Sequence, residues 1–312
     1  MSQAESSLYL HHYPPSLFSE KIRVLLGYLG ERWNSVIIPP IMPRPLLMPL
    51  SGGYRKTPIF QDGANIYCDT DVIARMLARR AGNTELYAQG FAADRVAEWA
   101  DTQLFRVGVA LNFAPAAIAA QMSAMSEADM QAFAADRAKL SEGASITSFS
   151  PEVAEGYAHS YLSGLDRSLA NRAFVFGDSA CIADFSIYHC CWFLAQNPVV
   201  AAVLEPYEAV REWMDRMAGF GHGEVMTSDG ESALAAAKAA EPTLPELENS
   251  FPQGFAEGDA VTVAPVDYGR IPVAGRLVGM DRQEIVIVRA ADECGDVAVR
   301  FPTAGFELLK AG

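Results

Sequence analysis

The chain has 312 residues, half of them hydrophobic and a fifth charged, with a formal net charge of −14. That length is expected to make two or three domains with ample material for cores, and the acidic balance argues against nucleic acid or an anionic membrane surface as partner. No apolar run reaches the ~18 residues of a membrane span, and the polar start Met1-Ser2-Gln3-Ala4-Glu5 does not read as a secretory leader. Five cysteines stand at no metal spacing, so no metal site is expected, and an odd count without a leader implies reduced thiols in the cytoplasm. The charge is uneven: residues 1–84 carry +3 and the remainder −17.

Leu8 to Tyr13 reads as a first strand stopped by Pro14-Pro15. Ser16 and Ser19 precede a helix with Ile22, Leu25, Leu26 and Leu29 on one face, ended by Gly30. Val36-Ile37-Ile38 reads as a second strand, and Pro39 to Pro49 as an irregular loop. Ile59-Phe60 and Asn65-Ile66-Tyr67 flank Asp62-Gly63, a hairpin signal. Val72, Ile73, Met76 and Leu77 then repeat at helical spacing, with Asp69 and Thr70 at the helix start. Thr57-Pro58 opens the hairpin, a place suited to a cis bond. The order β-α-β-loop-β-β-α predicts one mixed sheet with helices on its faces.

The strand followed by Ser16 to Arg23 (S-x-x-S-x-K-I-R), Lys56-Thr57-Pro58 and Asp69-Thr70 resembles the thioredoxin-fold domain of the cytosolic glutathione transferase superfamily. The runs P-P-I-M-P-R-P, G-G-Y-R-K-T-P and Y-C-D-T resemble an uncharacterised bacterial and fungal branch of it. From about residue 85 alanine-rich, helix-periodic runs take over: 91–122, bent or broken at Pro115, then 126–141 and 151–170. Phe174 to Asp184 resembles the superfamily's N-capping box, with Cys181 where Ser or Thr is usual; a thiol caps poorly, so Asp184 or Ser179 must share the work. Further helices are expected over Pro206–Met217 and 228–241. After a loop with Pro242, Pro245 and Pro252 come five β-type runs, Ala260–Ala264, Arg276–Val278, Glu284–Arg289, Val297–Phe301 and Glu307–Leu309, suggesting a small antiparallel barrel-like unit. The expected fold is therefore α/β plus all-α plus small all-β: a thioredoxin-like glutathione-binding domain at 1–84, a helical domain at 85–241 and a β domain at 250–312. The resemblance covers roughly 8–240 and does not reach the tail.

The resemblance implies a site for glutathione as co-substrate. A helix N-terminus and a hydroxyl both stabilise a thiolate, which makes Ser16 the candidate donor, Ser19 the reserve and Tyr13 a third choice. Thr57, before a cis Pro58, is expected to bind the tripeptide backbone. Asp69 is expected to hold the γ-glutamyl ammonium, Thr70 its carboxylate, and Lys56 and Arg44 the glycyl carboxylate. Trp99, Phe105 and Tyr157 are candidates for an apolar co-substrate pocket. The implied activity is transfer of glutathione thiolate to a small apolar electrophile by a homodimeric enzyme. Two alternatives stand beside it: a non-catalytic binding or assembly module that uses its β domain, and a thiol oxidoreductase built on Cys68.

Overall fold

The computed structural model describes residues 7–122, 126–144, 148–244 and 250–311. The polar start Met1 to Glu5 and the linker proline Pro245 lie outside them. β1 (Leu8–His12) leads into α1 (Leu17–Leu29), where Ser16 caps the first turn and Gly30, at φ 68°, ends the last. β2 (Arg32–Ile37) follows parallel to β1. The proline-rich loop holds only a one-turn helix, α2 (Met48–Ser51). The expected hairpin is β3 (Ile59–Asp62) and β4 (Asn65–Cys68), with Gly63 at φ 57° in its turn, and it feeds α3 (Thr70–Ala81).

The helical domain contains α4 (Phe91–Trp99), a π-helical turn at Ala100–Leu104, α5 (Phe105–Asn112) and α6 (Pro115–Met122). Pro115 opens α6, where its missing N–H costs nothing, so the long run breaks where proline requires. α7 (Glu127–Leu140) and α8 (Pro151–Leu169) start at the serine caps Ser126 and Ser150. α9 (Ile182–Ala195) and α10 (Glu208–Ala218) complete the bundle. At the head of α9 the carboxylate of Asp184 accepts from Cys181 N–H at 3.0 Å, Val175 N–H at 2.9 Å and Trp213 Nε1–H at 3.0 Å, so it ties three segments together.

Two features depart from the sequence expectations. The chain leaves α10 through a glycine-rich turn and adds β5 (Glu224–Ser228), parallel to β2, before α11 (Gly230–Lys238). That turn presses on α1 so closely that a Cβ on Gly27 would lie 2.1 Å from the Gly221 carbonyl oxygen. The tail supplies β6 (Ala260–Pro265), β7 (Val273–Met280), β8 (Glu284–Ala291), β9 (Gly295–Pro302) and β10 (Phe306–Lys310), close to the five expected runs. They do not form a self-contained unit. β9 pairs in parallel with β4, with Ile66 opposite Val299 and Tyr67 opposite Arg300. The described strands thus form one ten-stranded sheet in the order β10-β6-β7-β8-β9-β4-β3-β1-β2-β5.

Strand alternation divides the sheet's side chains between two cores. Phe60 and Tyr67 face α1, α3 and the helical domain, whereas Ile59, Ile66 and Cys68 face the other way. No long helix between β2 and β3 covers that second face. α11, through Leu234 and Ala237, and the tail strands, through Val263, Ile287 and Val299, pack there instead.

Candidate functional site

The hairpin ends in a turn that sequence alone marks as special. Asp69 has φ 107°, the one non-glycine with positive φ among the described residues, a conformation that costs roughly 1–3 kcal/mol and persists only where its surroundings enforce it. Its carboxylate accepts from Asp71 N–H at 3.0 Å. Burial pushes its pKa up to about 6, against the opposing pull of Lys56 and the Asp71 N–H. Thr70 begins α3, and its Oγ1 accepts from Lys21 Nζ at 3.3 Å. Lys21 is 1 % exposed and pairs with Asp101 at 2.7 Å. The π turn carries Asp101, a backbone irregularity frequent at functional sites. Asp101 also accepts from His189 Nε2 at 2.8 Å and Ser186 Oγ at 3.3 Å. Burial opposes its ionisation, but Lys21 and His189 outweigh that and hold its carboxyl below the usual range.

Beside this turn the Thr57–Pro58 bond is cis. Lys56, Thr57, Pro58, Asp69 and Thr70 line one cavity of about 380 Å³, together with the loop after β6, the turn before β8 and the turn after β9. Lys56 Nζ pairs with Asp267 at 2.6 Å and sits 4.2 Å from the centre of the Tyr268 ring. Tyr54 lies deeper in the wall, 1 % exposed and packed against Phe301 and Phe306. Its hydroxyl is buried with no hydrogen-bond partner. A buried orphan donor at a cavity wall is a group that a bound polar molecule completes.

The other predicted residues are placed differently. Ser16 Oγ accepts from Ser19 N–H at 3.3 Å and Ser19 Oγ–H at 2.9 Å; both serines are buried as the cap of α1 and lie off the cavity lining. Tyr13 is off it as well. Arg44 is buried and donates to the carbonyls of Pro39, Pro40 and Arg55 and to Thr57 Oγ1 at 2.9–3.0 Å. It shapes the proline-rich loop and braces Thr57 from behind, so its guanidinium is spent before any glycyl carboxylate arrives. Phe105 lines the cavity, but Trp99 and Tyr157 pack on Tyr161 instead. Cys68 is fully buried, and burial drives its thiol well above the ordinary value, which removes the thiolate a redox role requires.

The remaining wall combines rings with charge. Phe18 and Phe105 meet at 5.0 Å, and Tyr268 stacks on Phe105 at 6.4 Å. Most of the cations here are paired: Lys21 with Asp101, Lys56 with Asp267, Arg75 with Asp71 and Asp94, Arg95 with Glu98. Arg106 on α5 and Arg282 in the turn before β8 also line the cavity and have no partner among the described residues. Sequence reading missed Lys21, Tyr54, Asp101, Arg106 and Tyr268. Lys21 stands inside the S-x-x-S-x-K run and Tyr54 inside G-G-Y-R-K-T-P, so these two carried a local signal. Among the described residues no three His, Cys, Asp or Glu side chains form a metal-binding group, and no helix is long and apolar enough to cross a membrane.

Residues 10–85 match the family described as glutathione S-transferase, N-terminal domain, and 142–220 the one described as glutathione S-transferase, C-terminal domain. A GST-like protein from Pseudomonas syringae has a crystal structure that is 38% identical, with a TM-score of 0.81 over 98% of this chain and 100% of that one. The tail is therefore part of the shared architecture. Glutathione S-transferase III in apo form is 16% identical at a TM-score of 0.50, covering 68% of this chain and 91% of its own, a likeness of fold. No curated protein sequence matches the chain.

Proposed function

This chain belongs to the glutathione S-transferase superfamily, and from that premise we propose that it binds glutathione in the cavity and transfers the thiolate to a small electrophile. The observation that carries this reading is the convergence of Lys56, Thr57, Asp69 and Thr70 on one wall with the unsatisfied hydroxyl of Tyr54. The residues fit the tripeptide's charges. Asp69 takes the ammonium. Thr70, backed by Lys21 and the α3 N-terminus, takes the neighbouring carboxylate. The backbone of Thr57 runs beside the cysteinyl unit, and Lys56 with Tyr54 receives the glycyl end.

Glutathione supplies the nucleophilic sulfur. Its C–S bond forms as the leaving group departs with its bonding pair, and the thiol proton goes to solvent. In this reading Ser16 is the sulfur's donor, reaching it from the cap of α1 and not from the cavity lining: its oxygen already accepts two hydrogen bonds, which leaves its own proton to donate. The chemistry then rests on thiolate stabilisation and orientation. The five buried, unpaired cysteines support a reducing, cytoplasmic setting. Homodimerisation through the first two domains belongs to the same proposal and rests on the family.

One observation favours a second reading, glutathione binding without turnover in a binding or assembly module: both serines lie off the cavity lining. Calorimetry with glutathione, run beside an electrophile panel, separates the two. The transferase reading expects glutathione binding by the wild type, and turnover that falls roughly a hundredfold in Ser16→Ala. Binding with no turnover of any electrophile supports the module, and no binding at millimolar glutathione overturns both.

A further inference from the structure

We propose that the electrophile this site accepts carries a carboxylate, and that Arg106 selects it, assisted by Arg282. The inference rests on the transferase reading for its chemistry, but its binding test does not. Arg106 is half-buried on α5, and Arg282 is exposed on a turn of the tail; both border the same cavity and neither has a protein partner among the described residues. The four other cations there each already pair with a protein carboxylate, and Lys56 divides its charge between Asp267 and the glycyl end in the transferase reading. Glutathione does not use the two arginines either, since Asp69, Thr70, Lys56 and Tyr54 meet its charged ends.

A guanidinium held partly out of water without an acceptor is costly, and a carboxylate fits its planar fork with two parallel hydrogen bonds. The chain as a whole is acidic, which repels anions, and cationic and acidic side chains balance in the cavity lining, so what admits an anion here is the pair of guanidiniums that no protein carboxylate neutralises. The rings of Phe18, Phe105 and Tyr268 add a wall for a flat apolar body. The substrate class is therefore an aromatic or unsaturated acid with an electrophilic carbon.

The test uses the unreactive pair 3-nitrobenzoate and 3-nitrobenzamide, alike in shape and different in charge. Their binding to the full chain is measured by calorimetry with and without S-methylglutathione. The acid is expected to bind roughly tenfold tighter than the amide, to weaken as salt rises, and to lose that preference in Arg106→Met while Arg106→Lys keeps part of it. Arg282→Ser is expected to reduce it less, and serves alone should Arg106→Met fail to fold. Equal affinities for acid and amide, or an undiminished preference in Arg106→Met, would overturn the assignment. Absence of glutathione binding sinks the transferase reading but leaves this comparison readable. Where turnover occurs, 4-chloro-3-nitrobenzoate and its amide are expected to differ in KM rather than kcat.

Discussion

Arg300 is where the tail is fastened to the first domain, and its removal has a calculable cost. It is 4 % exposed, lies in β9 opposite Tyr67 of β4, and its guanidinium covers that ring at 5.4 Å. It donates to the Thr243 carbonyl at 2.6 Å, Asn65 Oδ1 at 3.5 Å and Glu284 Oε1 at 3.4 Å. Glu284 is equally buried, and its other neighbour, Arg79, is 3.9 Å away and more than half exposed. Arg300→Met keeps most of the volume but leaves the Glu284 carboxylate buried and uncompensated, which costs about 3–5 kcal/mol. For a chain of this size that corresponds to a fall of roughly 10 °C in Tm. The pair is imperfect, since Arg300 Nε and Glu284 Oε2 both lack partners, so deleting both charges forfeits little. The double variant Arg300→Met/Glu284→Leu is therefore expected within about 1 kcal/mol of wild type. Urea unfolding of the wild type, both single variants and the double variant gives the coupling. A single-variant cost below about 1 kcal/mol, or a double variant as damaged as Arg300→Met, refutes the reasoning.

The raised pKa of Asp69 sets a second outcome. Burial holds its folded carboxyl up at about 6, above the ordinary aspartate value of 3.8, so between those values the unfolded chain sheds its proton first and stability falls as pH rises. Asp69→Asn is expected to raise Tm above pH 6 by the equivalent of about 1–3 kcal/mol, to give no gain below pH ~4, and to weaken glutathione binding; a pH-independent gain contradicts this. Cys181 caps α9 with a thiol that donates to Asp184 at 3.3 Å. Cys181→Ser supplies a better acceptor for the helix N–H groups and is expected to stabilise by about 0.5–1 kcal/mol in thermal unfolding; a lower Tm shows that Asp184 already does the whole job.

What was legible in the sequence is what local chemistry writes. Ser16 and Gly30 bracket α1, Asp62-Gly63 marks the hairpin, and Thr57-Pro58 is cis as its context suggests. Ser126 and Ser150 start α7 and α8 where expected. What escaped depends on partners far along the chain. Parallel pairing of β4 with β9 joins residues more than two hundred positions apart and leaves no periodicity to read. β5 is a short, largely exposed edge strand with no apolar alternation. The site divides the same way: Asp69 and Thr70 announce themselves at a helix start, but Tyr268 and Arg106 come to the cavity only because the tail and α5 fold over it. Ser16 caps α1 and lies off the cavity lining, a placement the sequence does not distinguish because a cap and a sulfur donor carry the same signature.

The shared sheet also imposes a timetable on synthesis. Residues 59–68 leave the ribosome early, yet the neighbour that finishes β4 is Gly295–Pro302, among the last to emerge. Until then one flank of the nascent hairpin stays unpaired, and the greasy side bearing Ile59 and Ile66 awaits its cover. Ribosomes stalled before residue 295 should therefore display an amino-terminal third that is protease-sensitive and chaperone-bound, and release of the full chain should close it in one late, cooperative event.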